Sequence, residues 1–131
     1  MKPEILFLSQ ENVVEAGVLD MPKVMEQVEK AYTYMGKQQV KNPAKVQLAI
    51  PDPVNWNSFF MSMPSYIEPL NIAGFKWAAE SHENVKHPGM PLGLDVVMLS
   101  DPATVYPKAI MDGTIITAMR TSGVAGMAAK Y

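Results

Sequence analysis

The chain contains no cysteine among its 131 residues. Disulfide bonds and thiolate metal sites are therefore excluded, and the composition agrees with a reducing compartment. The chain also lacks any run approaching the roughly 20 apolar residues that span a membrane. The apolar run over residues 5–8 is too short for the core of a signal peptide. We therefore expect a cytoplasmic protein with no membrane partner.

Arginine is almost absent, since Arg120 is the single arginine among the 11 Lys and Arg residues. The formal net charge is −2 and the lysines are scattered, so no basic stripe indicates a nucleic-acid partner. Two phosphate-binding loops, the G-x-G-x-x-G and Walker types, are missing, as is the G-x-S-x-G elbow of serine hydrolases. The sequence therefore gives no support for nucleotide hydrolysis or serine-based hydrolysis by these residues.

What is present is typical of one globular domain, with 48% hydrophobic and 18% charged residues. No linker or repeat divides the chain, so residues 1–131 form a single predicted domain. Residues 81–91 are predicted to be a loop and residues 100–104 the turn of a hairpin. Periodicity predicts six strands, over residues 5–8, 45–50, 56–63, 72–79, 92–99 and 106–111. The first is expected to be buried and the second half-buried, and Pro64 is expected to close the third.

Three helical segments are predicted. Ser9 suits the N-cap of a brief helical turn, and Asp20 with Pro22 marks the start of a longer helix that ends at Gly36. The third, over residues 113–131, holds two interior glycines that cost about 1 kcal/mol each against alanine. Close backbone packing against a neighbour is the simplest reason to keep them. Because the chain stops in this uncapped helix, we expect it to be cut from a longer protein.

Lys76 is the residue that most strongly indicates chemistry, because it lies in an otherwise apolar strand. Its neighbours Phe75 and Trp77 point to the opposite side of that strand. A lysine that gives up its proton can act as a general base or nucleophile. The alternative is a lysine on an edge strand that points into water. Asp95, on the following strand, is either a half-buried partner for a lysine or an outward-facing residue.

Arg120 lies in a helix that is otherwise apolar or made of small residues. Its guanidinium could bind a carboxylate or phosphate in bidentate fashion, or it could be a surface residue or a structural ion pair. Lys45 could be a second anion contact or a solvated lysine at a strand edge. His82 and His87 share a loop, but that loop has no rigid element to fix metal ligands, so we predict no metal site.

Residues 109–121 resemble the A-x-M-D-G-x-x-I-T-A-x-R-T signature of the ornithine cyclodeaminase/μ-crystallin family. The small-residue helix runs on to an A-A-K ending at Lys130, as in that family. Four weaker matches follow the family order along the chain, at Met63-Pro64-Ser65-Tyr66, Gly74-Phe75-Lys76-Trp77, Gly89-Met90-Pro91 and Ser100-Asp101-Pro102-Ala103-Thr104. Together the matches cover essentially the whole chain.

This resemblance implies a fold and a domain organisation. Family members have a substrate-binding domain, which forms the homodimer through its sheet, and a Rossmann domain that binds NAD(H) or NADP(H). The chain is then the N-terminal substrate-binding and dimerisation domain of a truncated two-domain enzyme. Its expected class is α/β with an α+β-like character, a mixed and largely antiparallel sheet flanked by helices, without the Rossmann domain. Alone, it is expected to be inactive, because most of the cofactor site lies elsewhere.

The resemblance also implies roles for individual residues. Lys76 matches the catalytic lysine, which also contacts the substrate. Arg120 matches the arginine that holds the substrate carboxylate and approaches the nicotinamide, and Thr121 is its neighbour beside the cofactor. Lys45 stands where the family usually has an arginine for the substrate carboxylate. Lysine keeps the charge but lacks the bidentate fork, which puts the substrate preference in question.

The chemistry implied is hydride transfer at an α-amino acid. The reaction is either the conversion of ornithine to proline with release of ammonia, or a related amino-acid dehydrogenation or imine reduction. One alternative is a non-catalytic module for small-ligand binding or dimerisation, related to μ-crystallin. Another is the remnant of a decaying gene, which would expose an apolar patch and aggregate.

Overall fold

A computed structural model describes residues 4–50 and 58–131 of the chain. Two 3₁₀ turns, at Glu68–Leu70 and His82–Lys86, flank the central strands. The remaining elements are, in order, β1 (Leu6–Leu8), α1 (Gln10–Glu15), α2 (Met21–Gly36), β2 (Val40–Lys41), β3 (Val46–Ala49), β4 (Ser58–Ile67), β5 (Ile72–Ser81), β6 (Gly93–Ser100), β7 (Pro107–Asp112) and α3 (Thr114–Ala128). The predicted start of a strand at Trp56 lies outside the described residues.

The described strands form one mixed sheet in the order β1-β7-β6-β5-β4-β2, with β3 also paired to β4. All pairs are antiparallel except β1 with β7, which is parallel. β4, β5, β6 and β7 are neighbours in both sequence and space, as short connections allow. The predicted fold class, a largely antiparallel mixed sheet flanked by helices, is confirmed.

The helices begin where the sequence predicts. The Ser9 side chain accepts a hydrogen bond from the backbone N–H of Asn12, and the Asn12 side-chain oxygen accepts one from the backbone N–H of Ser9, which completes a capping box. The Asp20 side chain accepts from the backbone N–H of Lys23 at 3.3 Å, and the long helix ends at Gly36. Among the described residues, no helix is long and apolar enough to cross a membrane.

The glycines of α3 allow that helix to lie close to α2. A Cβ added at Gly123 would come within 2.8 Å of Val24 Cγ1, and one at Gly126 within 3.1 Å of Met25 Sδ. The predicted close packing around these glycines is therefore confirmed. Val28 of α2 is buried at this contact, so the core lies between the helix layer and the sheet.

The face of the sheet turned toward the helices is called the site face below. Paired residues of neighbouring strands share a face. One row of the site face crosses β4 to β7 at Met63, Lys76, Val97 and Met111. α3 lies over it, since a Cβ added at Gly113 would come within 3.1 Å of Val97 Cγ2.

The opposite face is called the open face. Its central row includes Trp77 and Val96, and the Trp77 ring stacks on Phe60 with ring centroids 5.5 Å apart. The helices described above contact the site face instead. Six of the apolar side chains on the open face are at least 37% exposed, namely Phe7, Val46, Leu48, Trp77, Leu94 and Val96.

Two predictions about burial are wrong, and the open face explains both. Residues 5–8 were expected to form a buried strand, yet β1 lies at the sheet edge with Phe7 72% exposed. The strand over residues 45–50 does alternate, but its apolar residues Val46 and Leu48 lie on the open face rather than in a core. Periodicity identifies a face of a strand but not what covers that face.

Pro64 does not close its strand, contrary to the prediction. β4 continues through it to Ile67, and Pro64 is the partner of Phe75 in the ladder with β5. The outer neighbour of β4 is interrupted here, because β3 pairs with residues up to Ser62 and β2 pairs from Tyr66. A proline, which lacks an N–H, is tolerated where a ladder is interrupted. The short strand β2 was not predicted.

Candidate functional site

Lys76 lies at the middle of β5 on the site face, and its side chain is only 17% exposed. Its Nζ donates to Asp95 Oδ2 at 2.9 Å and to Thr117 Oγ1 at 3.1 Å. The Thr117 hydroxyl also donates to Asp95 Oδ2. Lys76, Asp95 and Thr117, hereafter the Lys76 cluster, thus connect β5, β6 and α3. Of the two interpretations left open for Asp95, a half-buried partner for a lysine is confirmed.

Asp95 is held in place through its backbone as well. The backbone N–H of Gly113 donates to the Asp95 carbonyl at 2.8 Å, and the Asp95 N–H donates to Thr114 Oγ1 at 3.1 Å. Because both bonds join β6 to the first turn of α3, the carboxylate cannot shift without disturbing the start of that helix. Its side chain is 10% exposed, so water has little access to the ion pair.

Thr117 is a functional candidate that the sequence reasoning missed. It contributes the hydroxyl that lies between the amine and the carboxylate of the Lys76 cluster. A signal was present, since Thr114, Thr117 and Thr121 follow one another at spacings of three and four on one side of a helix. A polar stripe on a helix that otherwise carries small and apolar residues indicates contact with other polar groups.

Lys45 and Lys76 line one cavity of about 380 Å³, hereafter the site cavity. Its walls come from β4, β5, β6 and the start of α3, and it also contains the carboxylates of Glu80 and Asp95. Glu80 lies 3.4 Å from His82 Nε2. Lys45 itself is exposed and has no ion-pair partner among the described residues. The structure therefore brings two of the predicted substrate-binding residues to the same cavity.

Arg120 lines a different cavity, of about 460 Å³, between the three helices and the sheet. This second cavity is mostly apolar, and its other polar side chains are those of Lys23 and Gln27. Arg120 is exposed and lacks a hydrogen-bonded partner within residues 4–50 and 58–131. Thr121 is also exposed, and its hydroxyl donates to the Thr117 carbonyl at 2.7 Å. The structure places Arg120 and Thr121 about one turn beyond Thr117, and Thr121 meets the Lys76 cluster through this bond to the Thr117 backbone.

Within the described part of the chain, no three His, Cys, Asp or Glu side chains come together in the manner of metal ligands. The polar side chains that line the site cavity are two amines, two carboxylates and two hydroxyls. Such a set binds a zwitterion well, because each sign of charge meets its opposite in a partly desolvated place. The amine of Lys76 is also in a position to exchange a proton with a bound molecule.

A sequence model of the ornithine cyclodeaminase/μ-crystallin family matches residues 4–131. The chain belongs to this family. N-((2S)-2-amino-2-carboxyethyl)-L-glutamate dehydrogenase of Staphylococcus aureus is 31% identical over 134 residues, matched to all of this chain and 40% of that protein. The resemblance of the chain to this family, which the motifs along the sequence indicated, is therefore confirmed.

Solved structures agree. The Thermococcus litoralis Δ(1)-pyrroline-2-carboxylate reductase in complex with NADH and L-proline has a TM-score of 0.86 and 35% identity, with 96% of this chain and 37% of that chain covered. An archaeal alanine dehydrogenase dimer with bound NAD has a TM-score of 0.85 and 31% identity, with 97% and 37% covered. The chain spans about two fifths of the length of these relatives. They are oxidoreductases of α-amino acids and imines.

A nicotinamide cofactor, which two of these relatives bind, would need polar groups at the surface it contacts. Arg120 and Thr121 are exposed side by side on α3, and Arg120 has no hydrogen-bonded partner among residues 4–50 and 58–131. The 131 residues contain no G-x-G-x-x-G loop that would hold a pyrophosphate. The residues present are therefore compatible with contact to the cofactor outside its phosphates.

Proposed function

We propose that the chain is the N-terminal, substrate-binding domain of a two-domain NAD(P)-dependent enzyme that interconverts an α-amino acid and its imine. The observation that carries this proposal is the half-buried Lys76 cluster in a cavity that also contains Lys45. An amine held by a carboxylate in a partly desolvated cavity is typical of a group that contacts a reacting substrate. The three relatives described above, which are amino-acid or imine oxidoreductases, support the same class.

Each site residue then has a role. Lys45 attracts the substrate carboxylate at the mouth of the site cavity. Lys76 contacts the substrate and accepts or donates the proton that the amino group of the substrate loses or gains. Arg120 and Thr121 border the nicotinamide of NAD(H) or NADP(H), which supplies the hydride acceptor or donor when it is bound. Arg120 reaches the substrate carboxylate if its exposed side chain turns from the second cavity, between the helices and the sheet, toward the site cavity.

Ornithine is one candidate substrate, with cyclisation to proline and release of ammonia. Amino-acid dehydrogenation and imine reduction are the other candidates, and the relatives described above carry out reactions of this second kind. Lys45 bears on the choice, because an ammonium group selects a carboxylate by charge but not by the planar, bidentate geometry of a guanidinium.

The proposal includes a homodimer formed through the open face. The support is the row of exposed apolar side chains around Trp77 and the dimeric state of the archaeal alanine dehydrogenase relative. Contiguous apolar surface of this kind marks interaction sites in soluble proteins.

The first test is the size and activity of the protein in its source cells. An antibody to this segment should detect a species more than twice as long as the 131 residues. That protein, once purified, should reduce NAD⁺ or NADP⁺ in the presence of one member of a panel of α-amino acids that includes ornithine, alanine and proline. A purified long protein that binds an amino acid but never changes the redox state of the nucleotide would instead indicate a non-catalytic binding module.

A further inference from the structure

The Lys76 cluster closes a ring of three hydrogen bonds, since Lys76 donates to both partners and Thr117 donates to the same carboxylate oxygen of Asp95. We propose that Asp95 and Thr117 are positioning residues that orient the amine of Lys76 and leave one bonding position of its nitrogen for the substrate. This inference rests on the proposed function, in which Lys76 contacts the substrate.

Counting protons supports this assignment. An ammonium has three N–H bonds, and the ring uses two of them. The hydroxyl of Thr117 accepts one of these two, so its own single proton is free to be donated to Asp95. The third N–H of Lys76 is the remaining donor, and the site cavity is the space beside it. A substrate carboxylate or imine nitrogen therefore meets one donor rather than a freely rotating group of three.

The low exposure of Lys76 and Asp95 limits the partners available to the Lys76 amine. Both members of the ion pair are largely shielded, at 17% and 10% exposure, so the carboxylate rather than water stabilises the charge of the amine. The backbone bonds of Asp95 to Gly113 and Thr114 fix that carboxylate relative to α3. The ring thus preorganises Lys76 before any ligand arrives.

The other charged groups of the cavity clarify what remains for the substrate. Asp95 neutralises Lys76, while Lys45 has no ion-pair partner in the described ranges and Glu80 is near His82. Lys45 is therefore the cation left for a substrate carboxylate, and the single free donor of Lys76 is left for the reacting nitrogen or its neighbouring carboxylate. Loss of Asp95 should change the orientation and reactivity of the Lys76 amine without removing a substrate contact.

The test measures the reactivity of the Lys76 amine in the 131-residue chain without any ligand. Acetic anhydride acylates only an uncharged amine, and peptide mass spectrometry gives the rate at each lysine. At neutral pH, Asp95→Asn should raise the rate at Lys76 about tenfold, because the amine loses a hydrogen bond to a charged group, and a tenfold change corresponds to about 1.4 kcal/mol.

A matched control comes from an exposed ion pair of the same chain, Lys86 with Glu83. Glu83→Gln should change the rate at Lys86 less than twofold, because solvent screens that pair. Thr117→Val should raise the rate at Lys76 by about threefold, because the amine loses one of its two hydrogen-bond partners. Thr117→Ser, which keeps the hydroxyl, should restore the original rate. Circular dichroism at the labelling temperature shows whether each variant is folded.

An Asp95→Asn chain that is folded and acylated at Lys76 no faster than the unaltered chain overturns the inference. If Asp95→Asn does not fold, equal rates for Thr117→Val and Thr117→Ser overturn it, and a faster Thr117→Val supports it. Because no amino acid or nucleotide is added, this outcome is independent of turnover by the full-length protein. The positioning role and the proposed enzymatic function can therefore fail separately.

Discussion

The two faces of the sheet are built from alternate residues of the same strands, yet they meet different surroundings. Lys76 and Trp77 are consecutive on β5. Lys76 belongs to a polar cluster beneath α3, whereas Trp77 lies on an apolar surface and is 37% exposed. The covered face is otherwise apolar, as Met63, Val97 and Met111 in the same row as Lys76 show. The sheet therefore has two largely apolar faces, of which one holds a buried polar cluster and the other is left exposed by the described helices.

The difference indicates a division of labour between the faces. A polar cluster costs stability when it is buried, so its retention on the covered face indicates a functional role. An apolar face that meets water costs stability too, unless a partner covers it. In the function proposed above, the site face serves the substrate and the open face the homodimer, so changes to one face should leave the other intact.

The largest expected effect follows from removing the amine of the site face. In the full-length enzyme, Lys76→Met should lower kcat/KM by about 10²–10⁴-fold, the usual contribution of a group that transfers a proton. Lys86→Met removes an exposed lysine outside the site cavity and should leave the rate unchanged. Light scattering should show the same oligomeric state for both variants. A Lys76→Met rate within threefold of the original would assign the chemistry to another residue.

The second effect concerns the open face. Trp77→Lys should weaken the homodimer by about 30-fold or more, because an aromatic anchor at an interface is worth ~2 kcal/mol or more. Leu94→Lys, on the same face, should act in the same direction with less disturbance of the ring stack. Val85→Lys places a charge at a residue that is 75% exposed but lies outside the sheet, and should leave the dimer intact. Sedimentation of the unaltered chain as a monomer at every concentration would refute the interface.

The third effect tests how the helix layer is held over the site face. Gly123→Ala should lower the free energy of unfolding by about 1–3 kcal/mol, the cost of overpacking, because its Cβ would come within 2.8 Å of Val24 Cγ1. Gly36→Ala, at the end of α2 with no atom within 4 Å of its added Cβ, should instead be neutral or raise stability by up to ~1 kcal/mol. Urea unfolding of both variants separates packing from helix propensity. Equal effects of the two variants would mean that α2 and α3 can move apart without loss of stability.

Much of this fold was predictable, because local rules determine it. The cap at Asp20 and the stop at Gly36 depend on a few neighbouring residues, and the structure confirms both. The glycines of α3 indicated close packing for the same reason. The parallel pairing of β1, the passage of β4 through Pro64 and the exposure of the open face depend on distant partners. Periodicity does not contain that information.

The residues of the candidate site also divide into those that local sequence indicated and those that depend on distant contacts. The position of Lys76 in an apolar strand indicated a special role, and Asp95 was correctly considered as its partner. Thr117 was missed because its role depends on α3 crossing the strand that carries Lys76. The location of Arg120 beside a second cavity likewise follows from how α3 is rotated on α2. The roles of Lys45, Arg120 and Thr121 toward substrate and cofactor stay predictions.

The smallest expected effect lies at the end of the sheet, away from both faces. Asp101 begins the turn between β6 and β7 and accepts bonds from Lys108 at 3.0 Å and from the backbone N–H groups of Ala103 at 2.8 Å and Thr104 at 3.1 Å. These bonds, with Lys108 first, lower the pKa of Asp101 from 3.8 to about 2. A carboxyl whose pKa falls on folding stabilises the native state above its unfolded pKa and loses that contribution as the pH falls through the folded value.

The stability contributed by Asp101 should therefore be complete above about pH 5 and be lost progressively as the pH falls through 3.8 toward 2. Asp101→Asn should lower the thermal midpoint at neutral pH and flatten its dependence on pH in this acidic range. Lys108→Met removes the ion pair but keeps the two backbone hydrogen bonds to Asp101. The pH range over which the Asp101 contribution is lost should therefore become narrower without disappearing. Because this turn touches neither the Lys76 cluster nor the open face, acylation of Lys76 and dimerisation should be unchanged in both variants. An altered rate at Lys76 in Asp101→Asn would mean that the hairpin end is coupled to the site face, and the two faces would not be as independent as their geometry indicates.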